Sequence, residues 1–88
     1  MKKIVTVQDV EGEGLLALLD KYVVLWCMNY IYSGKLVGVN DTCVLLEEAC
    51  VVYATGELTA KSFKDAQPLV RAHYVMTGAI ESFGERGF

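Results

Sequence analysis

Three cysteines and one histidine are the residues of this sequence best suited to hold a metal ion or carry redox chemistry. Cys27, Cys43 and Cys50 lack the paired spacing of a zinc site, their number is odd, and His73 is the only histidine. An unpaired thiol packs as a small apolar side chain. The sequence therefore predicts three buried free thiols, with no metal and no cofactor.

An acidic pair, Glu47 and Glu48, has the residue types needed for acid–base or metal chemistry. The pair falls in a predicted strand, where successive side chains point to opposite faces. The sequence also contains no glycine loop that would cradle phosphate and no nucleophile beside a plausible base. We therefore expect that the protein is not an enzyme.

Polar turn residues and one lysine are the candidates for contact with single-stranded nucleic acid: Asn40, Asp41, Thr42, Thr77, Gly78 and Lys35. Asparagine pairs with base edges, threonine hydrogen-bonds phosphate or sugar, and an exposed glycine lets a strand approach the backbone. The alternative is that the turn residues serve only local backbone geometry. The sequence leaves both interpretations open.

Aromatic rings are a second possible platform for bases, because bases stack on them; the rings concerned are Tyr22, Trp26, Tyr30, Tyr32 and Tyr53. Their neighbours alternate as in buried strands, which favours core or subunit-interface positions for most of them. The basic residues are scattered and are each expected to be solvated surface charges. Repetition of Lys35 or Arg71 around a ring would nevertheless form a basic band.

The composition limits the remaining classes of protein to which this chain could belong. The chain has 88 residues, 53% of them hydrophobic, and a net charge of -3, which indicates one folded domain and argues against a broad electrostatic grip on nucleic acid. The first residues lack a long apolar run, and no stretch reaches the ~20 apolar residues of a membrane helix. We expect a soluble, cytoplasmic protein.

The elements that must position these residues are short. Good helix formers predict a helix at about residues 14–21, after an N-terminal extension over residues 1–13. Runs rich in β-branched and aromatic residues predict strands: residues 22–27, 30–37, 43–53, 69–76 and 79–83, with an extra strand over residues 4–7. Residues 56–68 read as a loop with a helical turn near residues 62–66, and residues 84–88 as a frayed tail.

These elements predict a mainly β fold: a small, strongly bent, five-stranded antiparallel barrel over residues 22–83, preceded by the short helix. Glycines at positions 34 and 38 support the bend, because a strand glycine often marks sharp curvature or close backbone approach. The whole chain, residues 1–88, is then a single domain.

Three segments of this sequence resemble the Sm/LSm family, which includes the bacterial Hfq proteins and small Sm-like proteins from marine phage. Residues 32–40 (YSGKLVGVN) resemble the first motif, with its two glycines around a leucine. Residues 45–49 (LLEEA) resemble its apolar strand ending in two acids and alanine, and residues 75–80 (VMTGAI) occupy the place of the second motif. The resemblance covers residues 15–83.

The resemblance implies a homo-oligomeric ring that binds single-stranded RNA, or DNA, in RNA or DNA processing or regulation. It also implies pairing between the fourth strand of one subunit and the fifth of the next; the interface residues would be Arg71, His73, Tyr74, Val75, Met76, Ala79, Ile80 and Phe83. A phage-encoded protein of this kind would act in the host cytoplasm.

The sequence departs from the family at the nucleotide pocket. Cys43 or Val44 falls where the family has a base-reading asparagine, Asp41 or Thr42 replaces a stacking aromatic residue, and Thr77 replaces an arginine. The alternative function is therefore a structural or protein-interaction ring, for example in phage assembly, without nucleic-acid binding.

Overall fold

The computed structural model describes residues 14–88. The expected N-terminal extension and the extra strand over residues 4–7 lie outside the described residues. The described chain is mainly β, with six strands: β1 (Tyr22–Cys27), β2 (Ile31–Val39), β3 (Cys43–Ala54), β4 (Asp65–Pro68), β5 (His73–Met76) and β6 (Ile80–Glu85). Two 3₁₀ turns, Leu15–Leu18 and Thr77–Ala79, complete the regular structure.

All strand pairs are antiparallel, in the order β4-β3-β2-β1-β6, and β5 also pairs with β3. The long strand β3 thus holds β5 against its first half and β4 against its second half. Register shifts interrupt the β2–β3, β3–β4 and β1–β6 ladders. Such bulges bend strands and increase their twist.

The sheet must curl because one short turn joins its two edges. In a flat sheet, β5 and β6 would lie four strand spacings apart, about 19 Å at ~4.8 Å each. The turn Thr77–Ala79 connects them, and the four steps from Met76 to Ile80 span at most about 14 Å. The edges approach without closing the sheet, since within residues 14–88 β5 pairs only with β3 and β6 only with β1.

The core lies on the concave face of the curled sheet. Its buried cluster consists of Val23, Leu25, Leu36, Val44, Leu46, Ala49 and Val75. The alternation of β1 explains the pattern: Val23 and Leu25 are buried, whereas Val24 and Trp26 face the other side and are half-buried. Across residues 14–88, neither helix has the length and apolar character needed to span a bilayer.

Several details differ from the sequence-based expectations. The helix expected at residues 14–21 is only the 3₁₀ turn Leu15–Leu18, because Asp20 has a φ of 66° and the chain enters β1 at Tyr22. The expected closed barrel of five strands is an open sheet of six. Part of the expected loop, Asp65–Pro68, pairs with β3 as β4.

Two further boundaries move. The expected strand over residues 69–76 is regular only at His73–Met76, because the chain bends at residues 70 and 71. The expected frayed tail is partly strand: β6 runs to Glu85, and the Arg86 N–H donates to the Tyr22 carbonyl at 2.8 Å.

Candidate nucleic-acid interface

The turn between β2 and β3 is organised by the side chain of Asn40. Its Oδ1 accepts hydrogen bonds from the backbone N–H of Thr42 at 2.8 Å, the backbone N–H of Cys43 at 2.9 Å and the Thr42 hydroxyl at 3.0 Å. This is the local bonding that makes asparagine favourable in turns. The oxygen is therefore occupied, and the exposed amide NH₂ is the part of Asn40 that remains for a ligand.

The second predicted segment docks directly on this turn. The Thr77 N–H donates to the Thr42 carbonyl at 2.9 Å, and the Thr77 hydroxyl donates to the Asp41 carbonyl at 3.0 Å. The structure thus brings the Asn40–Thr42 turn and the Thr77–Gly78 turn together, although 34 residues lie between Thr42 and Thr77 in the sequence. Five of the six predicted contact residues form one polar rim.

Gly78 is the open point of this rim. It is exposed, and a Cβ built on it meets no atom within 4 Å. Asp41 and Thr42 are also exposed, whereas Thr77 is half-buried because it holds the two turns together. The rim therefore offers backbone and the Asn40 amide NH₂ to solvent, together with the Asp41 carboxylate, while the Thr42 and Thr77 hydroxyls already donate their hydrogens within the rim and can only accept.

Lys35 lies apart from this rim. It is half-buried in the middle of β2, opposite Tyr22 on β1 and Glu47 on β3. Five residues along β2 separate it from Asn40, about 16 Å at ~3.3 Å per residue. Lys35 therefore cannot act on the same nucleotide as the rim, and its cross-strand partner Glu47 offsets part of its charge.

The predicted interface residues of β5 and β6 lie on the two edges of the sheet, whereas Arg71 and Ala79 lie outside these strands. Tyr74 and Met76 on β5 are 65% and 60% exposed, and Phe83 on β6 is 42% exposed. Val75 is instead a core residue, 4% exposed and paired with Val44. Arg71 lies in the bend before β5, outside the strand.

Two of the five aromatic residues and all three thiols are more exposed than core positions would be. Tyr30 and Tyr53 are more than half exposed, and Tyr32 stacks on His73 with ring centroids 5.2 Å apart. All three cysteines are free and half-buried rather than buried. Burial raises the pKa of the Cys27 and Cys50 thiols. Within residues 14–88, no three His, Cys, Asp or Glu side chains cluster as a metal site would require.

Sequence reasoning missed the part played by Arg86. Its guanidinium lies 4.5 Å from the Tyr22 ring centroid and 4.8 Å from that of Phe88. It also donates to the hydroxyl of Ser33, a fully buried residue, at 3.2 Å. Residues 81–87 (ESFGERG) show no apolar alternation that could have indicated this role.

No protein-family model matches this chain, and no curated protein and no solved structure matches it significantly.

Proposed function

We propose that this chain is an Sm-like protein that assembles into a homo-oligomeric ring and binds single-stranded nucleic acid, preferentially RNA, at the polar rim formed by Asn40, Asp41, Thr42, Thr77 and Gly78. The observation that carries the proposal is the pair of hydrogen bonds from Thr77 to the Asn40–Thr42 turn. These bonds create a composite site from two segments that are distant in sequence. The backbone bond continues the β3–β5 ladder beyond the Cys43–Met76 pair, and the bond from the Thr77 hydroxyl to Asp41 is a side-chain contact that the ladder does not require.

The strand order supports the Sm-like part of the proposal. A barrel of five strands corresponds to these six if β4 and β5 are one strand interrupted by the bend at residues 70 and 71, since both pair with β3. The one-turn connection Thr77–Ala79 then joins the fourth strand to the fifth. On this proposal, the open edges of the curled sheet would gain their strand partners when a neighbour is added.

The open edges support assembly. An edge strand carries unpaired backbone groups that accept another strand. β5 and β6 are both edges and carry exposed apolar side chains, among them Tyr74, Met76 and Phe83. Pairing β5 of one subunit with β6 of the next uses two different surfaces, and such head-to-tail contacts form a ring when the rotation closes.

A ring makes a weak rim sufficient for binding. The Asn40 oxygen is already bonded within its turn, and no arginine or aromatic side chain belongs to the rim. Each subunit therefore contributes only weak contacts, mainly to sugar and phosphate. Several rims on one ring act on one strand, and the effective concentration multiplies the weak contacts.

The second candidate is a structural ring without nucleic-acid binding. The observations that favour it are the occupied Asn40 oxygen, the exposed Asp41 carboxylate in the rim and the net charge of -3. The carboxylate and the net charge work against an anionic ligand, and the occupied oxygen cannot accept from a base edge.

Opposite charges introduced at Gly78 separate the two candidates. A Cβ added there meets no atom within 4 Å and Gly78 is exposed, so Gly78→Lys and Gly78→Asp should both fold and assemble as the wild type does. Anisotropy of a labelled single-stranded RNA should show about tenfold tighter binding for Gly78→Lys and about tenfold weaker binding for Gly78→Asp, each equal to ~1.4 kcal/mol.

Thr59 supplies the matched control, since it is exposed in the loop after β3. Thr59→Lys and Thr59→Asp make the same charge changes away from the rim and should alter affinity much less. Equal effects at both positions would show that binding depends on overall charge and not on the rim. No binding by the wild type at low salt would favour the structural ring.

A further inference from the structure

Val70 is the most exposed large apolar side chain of the described structure, at 99%. It lies in the bend between β4 and β5, with exposed neighbours Arg71 and Ala72. A single exposed apolar residue is ordinary on a surface. This one, however, projects from the edge that the proposed ring would pair with a neighbour.

A cavity of about 170 Å³ lies beside the opposite edge of the sheet. Its walls come from β1, the loop after β3, the end of β6 and the residues that follow: Val24, Trp26, Leu58, Gly84, Glu85, Arg86, Gly87 and Phe88. A 150 Å³ apolar cavity accepts a benzene ring, so this space is large enough for the isopropyl group of a valine. The glycines leave its wall open at the edge strand.

The faces of the two edge strands limit how they can meet. Val75 pairs with Val44, and Phe83 pairs with Leu25, so both lie on the face that carries the core. In a continuous sheet the core face of one subunit must meet the core face of the next. Antiparallel pairing therefore aligns odd-numbered residues of β5 with residues 83 and 85 of β6.

Charge complementarity selects one register among these. Arg71 is an exposed cation just before β5, and Glu85 is an exposed anion at the end of β6. The register that places Arg71 opposite Glu85 also places His73 opposite Phe83. Continued past the start of β5 into the bend, this register brings Val70 close to Arg86 and Gly84, both of which line the cavity.

We propose that Val70 of one subunit enters the cavity between Trp26 and Phe88 of the next subunit, and that Arg71 of the first forms an ion pair with Glu85 of the second. The occupant of the cavity is thus a second copy of this chain. This inference rests on the proposed ring and specifies how its subunits recognise each other.

The decisive test is a charge swap measured by light scattering over a range of protein concentrations. Arg71→Glu places two acids together and Glu85→Arg two cations, so each should raise the concentration at which the oligomer dissociates by at least tenfold. The double variant restores an opposite pair and should return to within about threefold of the wild type. Within its own chain, Glu85 lies 3.9 Å from Lys21 in an exposed pair, which contributes little to folding.

Substitutions at Val70 test the cavity contact separately. Val70→Asp should raise the concentration at which the oligomer dissociates by at least tenfold. Val70→Leu should leave that concentration close to the wild-type value. Leu16→Asp, on the 3₁₀ turn away from both edges, is the control for adding an acid at an exposed apolar position. Circular dichroism should show unchanged strand content in every variant.

The outcomes separate this inference from the proposed function. A wild type that stays monomeric at micromolar concentration would overturn the ring and the inference together. If the oligomer persists in Val70→Asp, or if the double charge-swap variant does not restore it, only the inference is overturned. The proposed ring would remain supported.

Discussion

At the residue scale, Gly34 is the position where the curvature of the sheet allows no side chain. A Cβ built on it would lie 2.8 Å from the Glu47 carbonyl oxygen and 3.0 Å from the Ala49 Cα. These are backbone atoms, which cannot rotate away. Next to this contact the β2–β3 register shifts, and Glu48 adopts a φ of 51°, so the close approach and the bulge are parts of one bend.

Gly34→Ala should therefore destabilise the fold by about 1–3 kcal/mol, the usual cost of forcing extra atoms into a packed site. Urea denaturation followed by circular dichroism measures the change. Gly38→Ala is the matched control, since its Cβ would meet only the Leu45 Cβ at an ordinary 3.5 Å, and it should change stability far less. Equal losses at the two glycines would contradict this account.

The half-buried thiols give the fold a dependence on alkaline pH. Burial raises the pKa of Cys27 and Cys50 above the ordinary value of 9.0, so the unfolded chain ionises first. Their contribution to stability is fully present below pH 9.0 and is lost as the pH rises through the higher folded-state values.

The urea midpoint of the wild type should accordingly fall between pH 8 and pH 10.5 by more than that of the Cys27→Ala/Cys50→Ala double variant. An equal fall of the urea midpoint in the two proteins would show that the thiols are not the cause. At pH 8 a thiol reagent should also label Cys27 and Cys50 more slowly in the folded protein than in urea, because the thiolate is the attacking species.

At the scale of elements, the C-terminal residues act as a clasp that ties β6 to β1 and β2. Arg86 stacks on Tyr22 and Phe88 and hydrogen-bonds Ser33, and its Nε donates to the Phe88 carbonyl at 3.0 Å. The Tyr22 hydroxyl in turn donates to the Glu48 carboxylate. β6 has only one strand neighbour in the described chain, so these contacts supplement a single ladder.

Arg86→Ala should lower the free energy of unfolding by about 1–3 kcal/mol, as the sum of its cation–π contacts and its bond to Ser33. Arg86→Lys keeps the charge but loses the planar stacking group and its fork of donors. Its free energy of unfolding should therefore lie between those of the wild type and Arg86→Ala. If lysine restores full stability, charge alone is sufficient and the stacked geometry is irrelevant.

At the scale of the whole molecule, the proposed ring would decide whether a chain of net charge -3 can hold a polyanion. In the proposed ring, weak contacts to phosphate would be repeated in every subunit, and their strength would depend on counterion release and therefore on salt. Such contacts position a strand without reading its bases.

Binding of uridine-rich and adenine-rich strands should therefore weaken alike, by tenfold or more, between 50 and 200 mM salt, on the order expected for a few phosphate contacts. Fluorescence anisotropy with both labelled oligonucleotides measures this. Lys35→Glu, which lies outside the rim and acts only through the charge of the ring, should weaken both equally. Asn40→Asp keeps the turn-forming oxygen but replaces the free amide NH₂ of the rim with a carboxylate oxygen, so it should weaken both more. Tight uridine-selective binding that ignores salt would contradict the phosphate-based mechanism.

The strands, the turns and the glycine-rich bend could be predicted from the sequence, because alternation, β-branched residues and turn chemistry are local properties. β1, β2 and β3 accordingly lie close to their predicted bounds. Tertiary structure decided four other features. These are the docking of Thr77 on the Asn40–Thr42 turn, the separation of Lys35 from that rim, the loss of the N-terminal helix and the Arg86 clasp. Each depends on which distant segments the curled sheet brings into contact, and no local pattern of residues specifies that.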